Sequence, residues 1–400
     1  MKVLFILIII LLFILLWLSL DFYLGRKNQI KHLKRQDPPF RHSHIDLYTD
    51  GPELFADFFS ELKKAKHHIH ILFYIVKDDQ FSTEFLNILK DKAKEGVEVR
   101  LLLDRIGSHL IKENTIQSLE SHGVKFAFSH PLRFPFIFYS LHARNHRKIT
   151  VIDGKIGYIG GFNIGKEYIN LDPKLSPWRD YHLKMIGEGA ADLQKEFLTD
   201  WYNEKKIHLL ENPIYFPSLP KGSCQHQIIP SRGIYLEETF SSMIRNARTS
   251  IIIGSPYFIL SKRLLNDLLA ARGRGVTLTI LVPKTADHPF VKEASYPFLR
   301  KLISQGAIVY QFLNGFYHAK TCIIDDKICD IGTANFDHRS LFLNYEINCY
   351  IYDHAFIQKV LKVIETDIHH SKKLTLKELN QFDPWRSCKE IVARSIRMFL

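Results

Sequence analysis

Residues 145–163 read NHRKITVIDGKIGYIGGFN, and residues 317–335 read YHAKTCIIDDKICDIGTAN. The two stretches carry the same residue types at the same offsets, one 172 residues after the other. The matched pairs are His146 and His318, Lys148 and Lys320, Asp153 and Asp325, Gly160 and Gly332, and Asn163 and Asn335. So many matches across one shift predict an internal duplication, in which each half of the chain carries one copy of the motif.

The residues between the matched positions indicate that each copy is a hairpin of two short buried strands. In the first copy the turn is Asp153-Gly154, a dipeptide that hairpins favour. Side chains alternate along a strand, so His146 and Lys148 project from the same face. Asp153 lies about 23 Å from His146 along an extended strand and is therefore expected to support the turn. The return strand brings Asn163 back to the histidine end, so the motif predicts a site for a phosphate.

Length and charge narrow the class of protein. A chain of 400 residues exceeds the usual size of one domain and predicts two similar domains with sizeable cores. The formal net charge of +12 indicates an anionic partner, which nucleic acid, a membrane surface or a phosphorylated substrate would each satisfy. Five cysteines without a C-x-x-C pair favour reduced thiols over a disulfide framework.

The N-terminus contains an apolar run of 18 residues, Val3 to Leu20. As a helix this run spans about 27 Å, close to the hydrocarbon thickness of a bilayer. A signal peptide is the alternative, but small residues do not follow the run, so a retained membrane anchor is favoured. Five basic residues follow the run and one precedes it, which predicts a single-pass protein of the cell membrane whose large C-terminal part faces the cytoplasm.

The order of apolar segments repeats in the two halves and predicts α/β domains that face each other about a pseudo-twofold axis. In the first half, a helix is expected near residues 82–95 and strands near 68–74, 97–103 and 123–128. In the second half, a helix is expected near residues 262–272 and strands near 247–254, 276–282 and 306–312. The predicted organisation is a transmembrane anchor (1–24), a basic linker (25–48), a first domain (49–212), a linker (213–223) and a second domain (224–400).

Two histidines on opposite halves suit a double displacement at phosphorus. One would attack a phosphodiester and the other would act as the acid and base, while nearby side chains neutralise the phosphate oxygens. The candidates for this binding role are Lys148, Lys320, Asn163 and Asn335. Each histidine also needs a carboxylate to fix its tautomer, and Asp180 and Glu346 are the candidates because each follows a motif hairpin. This chemistry requires no metal.

Several segments around the two motifs carry a resemblance to a known family. They are HRKITVIDGKIGYIGGFNIGKEY (146–168), WRDYHL (178–183), DLQKEFLTDW (192–201), SPYF (255–258) and DHRSLFLNYEIN (337–348). Together with two complete copies of H-x-K-x4-D, they resemble the bacterial cardiolipin synthases of the phospholipase D superfamily. The resemblance extends from about Thr49 through most of the chain.

The resemblance implies duplicated phospholipase D-like domains, each a mixed β-sheet flanked by helices. It implies phosphatidyl transfer between two phosphatidylglycerol molecules, giving cardiolipin and glycerol without a nucleotide or metal cofactor. By the superfamily pattern His146 is the nucleophile and His318 the acid/base. The motif residues that make up the implied catalytic set are His146, Lys148, Asp153, His318, Lys320 and Asp325. The implied partners are phosphatidylglycerol and anionic membrane lipids, with no nucleic acid.

Other functions compete with this one. A phospholipase D or a nuclease would give the same intermediate to water, and a membrane scaffold would keep the fold without the chemistry. A nucleotide-dependent synthase is disfavoured, because the sequence lacks the acidic cluster that holds a metal-bound CDP-lipid. The aromatic residues of segment 134–139 could enter the bilayer or the core. The tail from Lys389 to Leu400 could be an interfacial helix, although packing on the domain is slightly favoured.

Overall fold

The computed structural model describes residues 1–31, 33–35 and 37–400. The strands of the first half are β1 (Arg41–Asp50), β2 (His68–Phe73), β3 (Glu98–Asp104), β4 (Lys125–Ser129), β5 (Ile149–Ile152), β6 (Ile156–Gly160) and β7 (Trp178–Gly187). Its helices are α1 (Lys2–Ile30), α2 (Gly51–Lys64), α3 (Gln80–Lys94), α4 (Glu113–Ser121), α5 (Ile137–His142) and α6 (Glu188–Lys205). Short 3₁₀ helices follow at Lys166–Ile169 and Pro213–Tyr215.

The second half repeats this order and adds a C-terminal extension. Its strands are β8 (Cys224–Arg232), β9 (Ser250–Gly254), β10 (Thr277–Pro283), β11 (Ile308–Phe312), β12 (Phe316–Tyr317), β13 (Thr321–Ile324), β14 (Ile328–Gly332), β15 (Tyr345–Ile351) and β16 (Ser371–Lys373). Its helices are α7 (Leu236–Asn246), α8 (Lys262–Gly273), α9 (Val291–Ser304), α10 (His338–Phe342), α11 (His354–His369), α12 (Leu376–Asn380) and α13 (Pro384–Ile396), with a 3₁₀ turn at Arg397–Phe399.

In the described residues these strands form one continuous 16-stranded sheet. The order is β4-β3-β2-β5-β6-β7-β1 in the first half and β8-β15-β14-β13-β9-β10-β11-β16 in the second, so the halves mirror each other about the β1–β8 pair. The remaining strand, the two-residue β12, lies off this path and pairs with β7. Strands β2, β3 and β4 are parallel, as are β9, β10 and β11, and the motif hairpins pair antiparallel with them. The predicted duplicated α/β fold with a mixed sheet is confirmed.

Helices cover both faces of the sheet because alternate strand residues are apolar on each side. On one face, α6 and α11 pack in a shared core that contains Phe197 and Val360. On the other face the halves have separate cores, with α2 and α3 in the first half and α7 and α8 in the second. Side-chain caps begin equivalent helices: Asp79 accepts from Ser82 at α3, and Ser261 accepts from Leu264 at α8.

The predicted linker over residues 25–48 differs from the structure. The first helix continues to Ile30, and residues from Arg41 onward form β1, which pairs with β7 on one side and with β8 on the other. The sequence of β1, RHSHIDLYTD, is polar because most of the strand is only half-buried. It therefore lacks the apolar run that identifies the other strands. The predicted start of the second domain at residue 224 coincides with the start of β8.

Helix α1 leaves the body of the protein near Phe22. Among the described residues it is the one helix long and apolar enough to cross a membrane, and its first 17 residues are exposed. Asp21 and Phe22 are buried, the Asp21 carboxylate accepts a hydrogen bond from the Tyr139 amide at 2.8 Å, and the Phe22 ring lies 5.6 Å from the Tyr139 ring. The base of the helix is thus fixed to α5, a few residues before the first motif.

Candidate active site

Each motif hairpin is fixed at its turn by the motif aspartate. Asp153 has a left-handed backbone, with φ of 52°, and its carboxylate accepts from the backbone amides of Lys66, His67 and His68 at 2.7–2.9 Å. Asp325 accepts in the same way from residues 248–250. These amides lie where β2 and β9 begin, whereas the motif histidines lie beyond the other ends of those strands. The aspartates are therefore placed to hold turns.

The first motif histidine is held by a carboxylate from the second half. His146 Nδ1 lies 2.9 Å from Glu346 Oε2 and 3.1 Å from Oε1. The Glu346 carboxylate also accepts from the hydroxyls of Thr333 at 2.6 Å and Ser340 at 2.9 Å. With Nδ1 donating to a fixed carboxylate, the Nε2 of His146 presents its lone pair to the cleft.

The second motif histidine is held by a carboxylate from the first half. His318 Nδ1 lies 2.6 Å from Asp180 Oδ2, and the His318 backbone amide donates to Arg179 at 2.7 Å. This contact exists because β12 pairs in parallel with the start of β7, directly beside Asp180. The structure therefore brings both predicted carboxylates to histidines, and each pair joins one half of the chain to the other.

Both motif lysines are buried beside these pairs. Lys148 Nζ donates to the backbone oxygen of His146 at 2.8 Å, and Lys320 Nζ lies 3.5 Å from Asp180 Oδ2. Burial lowers the pKa of Lys148 to about 7, although the nearby negative charge of Glu346 acts in the opposite direction. Burial also lowers the pKa of Lys320. Two ammonium groups with weakened solvation are suited to bind an anion that enters between them.

Burial and neighbouring charges also shift the pKa values of the two histidines and of their carboxylate partners. Burial lowers the pKa of His318 to about 4, with the Lys320 charge acting in the same direction, and burial lowers that of His146 despite Glu346. Burial acts to raise the pKa values of Asp180 and Glu346, but their histidine and lysine neighbours outweigh it and leave both below the ordinary range. The environment thus favours the neutral form of both imidazoles and the ionised form of both carboxylates.

The predicted phosphate-binding asparagines lie beside the hairpins and are buried. Asn163 Oδ1 accepts from the Ile75 amide at 3.1 Å, and its Nδ2 donates to the Tyr168 hydroxyl at 3.1 Å. Asn335 Nδ2 donates to Asp337 at 3.0 Å, and its Oδ1 has no partner among the described residues. Each side-chain nitrogen keeps a second hydrogen, so a role for the two amides towards phosphate stays a prediction.

Aromatic rings pack around both histidines, and no sequence pattern identified most of them as site residues. The ring of Tyr74 packs edge-on against His146 with centroids 4.9 Å apart, and Trp178 lies 4.8 Å from His318. Tyr257, in the SPYF segment, lies 6.3 Å from His318 on another side. These rings pack against the imidazoles beside their carboxylate partners. In the part of the chain that the structure describes, no group of three His, Cys, Asp or Glu side chains is placed to hold a metal.

The second glycine of the first motif, Gly161, leaves space for the side chain of Asp180. A Cβ at Gly161 would overlap the carboxylate of Asp180. The equivalent residue in the second half is Thr333, whose hydroxyl instead donates to Glu346. The space beside Gly161 is therefore taken by the carboxylate that contacts His318.

A duplicated α/β sheet in which a His-Lys pair from each half is tied to the other half defines the phospholipase D class of phosphodiester enzymes. Residues 58–201 and 240–368 match the family described as cardiolipin synthase, PLD-like domain. The chain therefore belongs to this cardiolipin synthase family, and it is an enzyme of the phosphatidyltransferase type.

Individual relatives agree with this assignment. The chain is 40% identical over 402 residues to the minor cardiolipin synthase of Bacillus subtilis, with all of both proteins covered. It is 38% identical over 362 residues to the major cardiolipin synthase of the same organism, covering 89% of this chain and 75% of the relative. A crystal structure of a phosphatidylserine synthase from Haemophilus influenzae superposes with a TM-score of 0.74 at 17% identity, covering 94% and 100% of the two chains, and supports the fold.

Proposed function

We propose that this protein makes cardiolipin by transferring the phosphatidyl group of one phosphatidylglycerol to a hydroxyl of a second, with release of glycerol. The observation that carries the proposal is the crossed pairing of the motif histidines, His146 with Glu346 and His318 with Asp180. This pairing leaves two imidazole Nε2 atoms available, one for attack and one for proton transfer. The names of its relatives supply the lipid class of the substrate.

In the first step, Nε2 of His146 attacks the phosphorus of the donor phosphatidylglycerol. The P–N bond forms while the P–O bond to glycerol breaks, and protonated His318 gives its proton to the departing alkoxide. Binding of the anionic phosphodiester raises the low pKa of His318, so that its imidazole takes up a proton from the solvent before the departing alkoxide needs it. The products are a phosphatidyl-histidine and free glycerol.

In the second step, a hydroxyl of another phosphatidylglycerol attacks the phosphatidyl-histidine. His318 Nε2 accepts the hydroxyl proton, the new P–O bond forms and the P–N bond to His146 breaks. The ammonium groups of Lys148 and Lys320 stabilise the negative charge of the equatorial oxygens in both steps, and Asn163 and Asn335 donate to the same oxygens. The site returns to its starting protonation.

The membrane arrangement forms part of the proposal. Helix α1 anchors the chain as a single span in the cell membrane, and the catalytic halves face the cytoplasm, because basic residues cluster after the helix. The domain boundaries of the sequence prediction are kept, except that the first domain begins with β1 at Arg41. Both lipid substrates then reach the site from the same bilayer.

Purified protein incubated with labelled phosphatidylglycerol tests the reaction. We expect cardiolipin and glycerol in equal amounts, no requirement for CTP or divalent metal, and no product from His146→Ala or His318→Ala. His354→Ala is the matched control, because this histidine is exposed at the start of α11 and should leave the rate unchanged. Phosphatidic acid as the main product, or nicking of DNA that depends on His146, would overturn the proposal.

The order of the two histidines has its own test. A phosphatidyl donor with nitrophenol as the leaving group needs no acid, so His318→Ala should still form the covalent intermediate on His146. Acid-labile, base-stable label on the protein after rapid quenching identifies it. Label retained by His146→Ala and lost by His318→Ala would reverse the assignment.

A further inference from the structure

Helix α13 packs on the protein with its charged side inward. Glu390 accepts from both terminal nitrogens of Arg300 on α9 at 2.7 Å, and Lys389 Nζ lies 3.8 Å from Glu293 on the same helix. Arg386 donates to the backbone oxygen of Leu379 at 2.9 Å. The charged side of a terminal helix normally faces solvent. Because the charged side of α13 faces the protein, its apolar side must face away from the protein.

The apolar side of α13 faces outward. Trp385 and Ile391 are 71% and 73% exposed, and Val392 is exposed beside them. Cys388 is also exposed, and the spacing of 385, 388 and 392 places these residues on one face of the helix. Phe382, just before the helix, and Met398, just after it, extend the same apolar character. A helix with its apolar face outward exposes that face to water, which is unfavourable. We therefore expect another apolar surface to cover the outer face of α13.

The position of this face identifies what covers it. Phe399, which follows α13, packs 5.7 Å from Phe22 at the point where α1 leaves the protein. The same cluster contains Phe138, 5.9 Å from Phe399. Phe134, in the same aromatic segment, is 87% exposed. The C-terminal end of α13 therefore lies beside the base of the hydrophobic helix α1.

Charge agrees with a lipid occupant. Arg394 and Arg397 are exposed at the C-terminal end of α13. Tryptophan on one side of a helix with arginine at its flank is typical of helices that lie in the headgroup region of anionic membranes. A second copy of the chain would have no such need for flanking cations.

We propose that α13 is an interfacial membrane helix, whose outer face, defined by Trp385, Cys388, Ile391 and Val392, lies in the headgroup region of the same bilayer that α1 spans. Two contacts, the anchor and α13, then fix the catalytic body against rotation about α1. This proposal does not depend on which phosphatidyl acceptor the enzyme uses.

The native cysteines make a direct test possible, because Cys388 is exposed and the other four are buried. The full-length protein is labelled at Cys388 with an environment-sensitive fluorophore and placed in vesicles of phosphatidylcholine and phosphatidylserine, which keeps lipid contact separate from turnover. We expect blue-shifted emission, strong quenching by lipids that carry a nitroxide near the headgroup, and protection from aqueous iodide. The control is Cys388→Ser with Lys155→Cys, because Lys155 is exposed in the hairpin turn at the far end of β5 and should give the opposite pattern.

Matched substitutions test the face itself. Ile391→Glu should lower quenching at Cys388 by the nitroxide lipid, whereas Ile214→Glu, at an exposed isoleucine of a 3₁₀ turn, should leave it unchanged. Iodide access at Cys388 equal to that at position 155 would overturn the proposal. Protection from iodide in detergent without quenching by the lipid would also overturn it and would indicate a second copy of the chain on this face.

Discussion

The bond between His146 Nδ1 and Glu346 determines which nitrogen of the imidazole can react. Glu346 cannot rotate to satisfy another partner, because the hydroxyls of Thr333 and Ser340 hold its oxygens. A carboxylate so fixed acts as an orienting group and as a counter-charge when the imidazole becomes cationic. Both the shape and the negative charge of Glu346 therefore act on His146.

Replacing Glu346 by glutamine should separate these two properties. The amide keeps the size, but it can present an NH₂ group to His146 and loses the negative charge, so turnover should fall about 100-fold to 10,000-fold. The melting temperature should change little in comparison. Asp330→Asn is the control. Burial raises the pKa of Asp330 well above its ordinary value, and Asn348 Oδ1, which has no partner among the described residues, can accept from the new amide. Equal rates in the two variants would contradict an orienting role.

The pKa of Lys148, lowered by burial to about 7, predicts an alkaline limb in the pH profile. Above that value the free enzyme loses the ammonium charge that binds phosphate, so kcat/KM for phosphatidylglycerol should fall as the pH rises through 7. Lys148→Arg keeps its charge at every accessible pH and should move the limb upward, although its rate at neutral pH is lower. A profile for Lys148→Arg that overlays the wild type after scaling would assign the limb to another group.

At the scale of elements, the motif aspartates connect each hairpin to the strand beside it. Asp325 accepts three backbone hydrogen bonds where β9 begins, and these lower its pKa to about 2 although burial opposes them. Such a group contributes stability above its ordinary pKa of about 3.8, and the contribution disappears as the pH falls through 2. We therefore expect the motif aspartate to stabilise the fold rather than to take part in the reaction.

Asp325→Asn should lower stability by about 1 kcal/mol at pH 7 and leave the turnover of folded enzyme close to wild type. Asparagine is the informative replacement, since it tolerates the left-handed backbone at this position. Asp326→Asn is a closely matched control, with the same φ of 53° and no side-chain hydrogen bond among the described residues. Thermal unfolding in parallel with activity distinguishes the two roles, and a large loss of turnover at unchanged stability would place Asp325 in the chemistry.

Gly161 is the position where the first motif hairpin packs against the carboxylate of Asp180. Gly161→Ala should displace Asp180 and disorient His318, so kcat should fall strongly while KM changes less. Gly273→Ala, at the end of α8, meets no atom within 4 Å and should preserve activity and stabilise the fold by up to about 1 kcal/mol. A Gly161→Ala enzyme with normal kcat would mean that Asp180 tolerates movement.

The sequence predicted these elements unevenly, for physical reasons. Apolar runs identified β2, β3 and their repeats, and the Asp153-Gly154 dipeptide identified the hairpin turn. Strand β1 was missed because a polar, half-buried strand has no periodic apolar signal. Asp180 and Glu346 were found from their place after each hairpin. The histidine that each contacts depends on long-range pairings, β12 with β7 for Asp180 and Asn145 with Tyr345 for Glu346, which local sequence does not encode.

At the scale of the whole molecule, the duplication makes the two halves mutually dependent. Each half supplies a histidine and the carboxylate for the other half's histidine, so neither half contains a complete acid–base pair. The pairing of β1 with β8 makes the sheet continuous and fixes the halves in register. Both histidine–carboxylate pairs therefore connect the two halves of this single sheet, one in each direction.

In the proposed arrangement, the orientation of helix α1 sets the side of the membrane on which the catalytic halves lie. Basic residues after the helix favour a cytoplasmic catalytic body, so the Cys388→Ser, Lys155→Cys variant should react with a membrane-impermeant maleimide only after cells are permeabilised. Position 155 is suited to this test because its turn lies at the end of the sheet away from α1 and the catalytic histidines. Replacing the basic residues at 26, 27, 31, 34 and 35 by glutamine removes the asymmetry and should allow a fraction of molecules to insert with the opposite orientation. Labelling of the parent variant in intact cells would place the site on the outer surface, where the donor lipid would have to come from the outer leaflet.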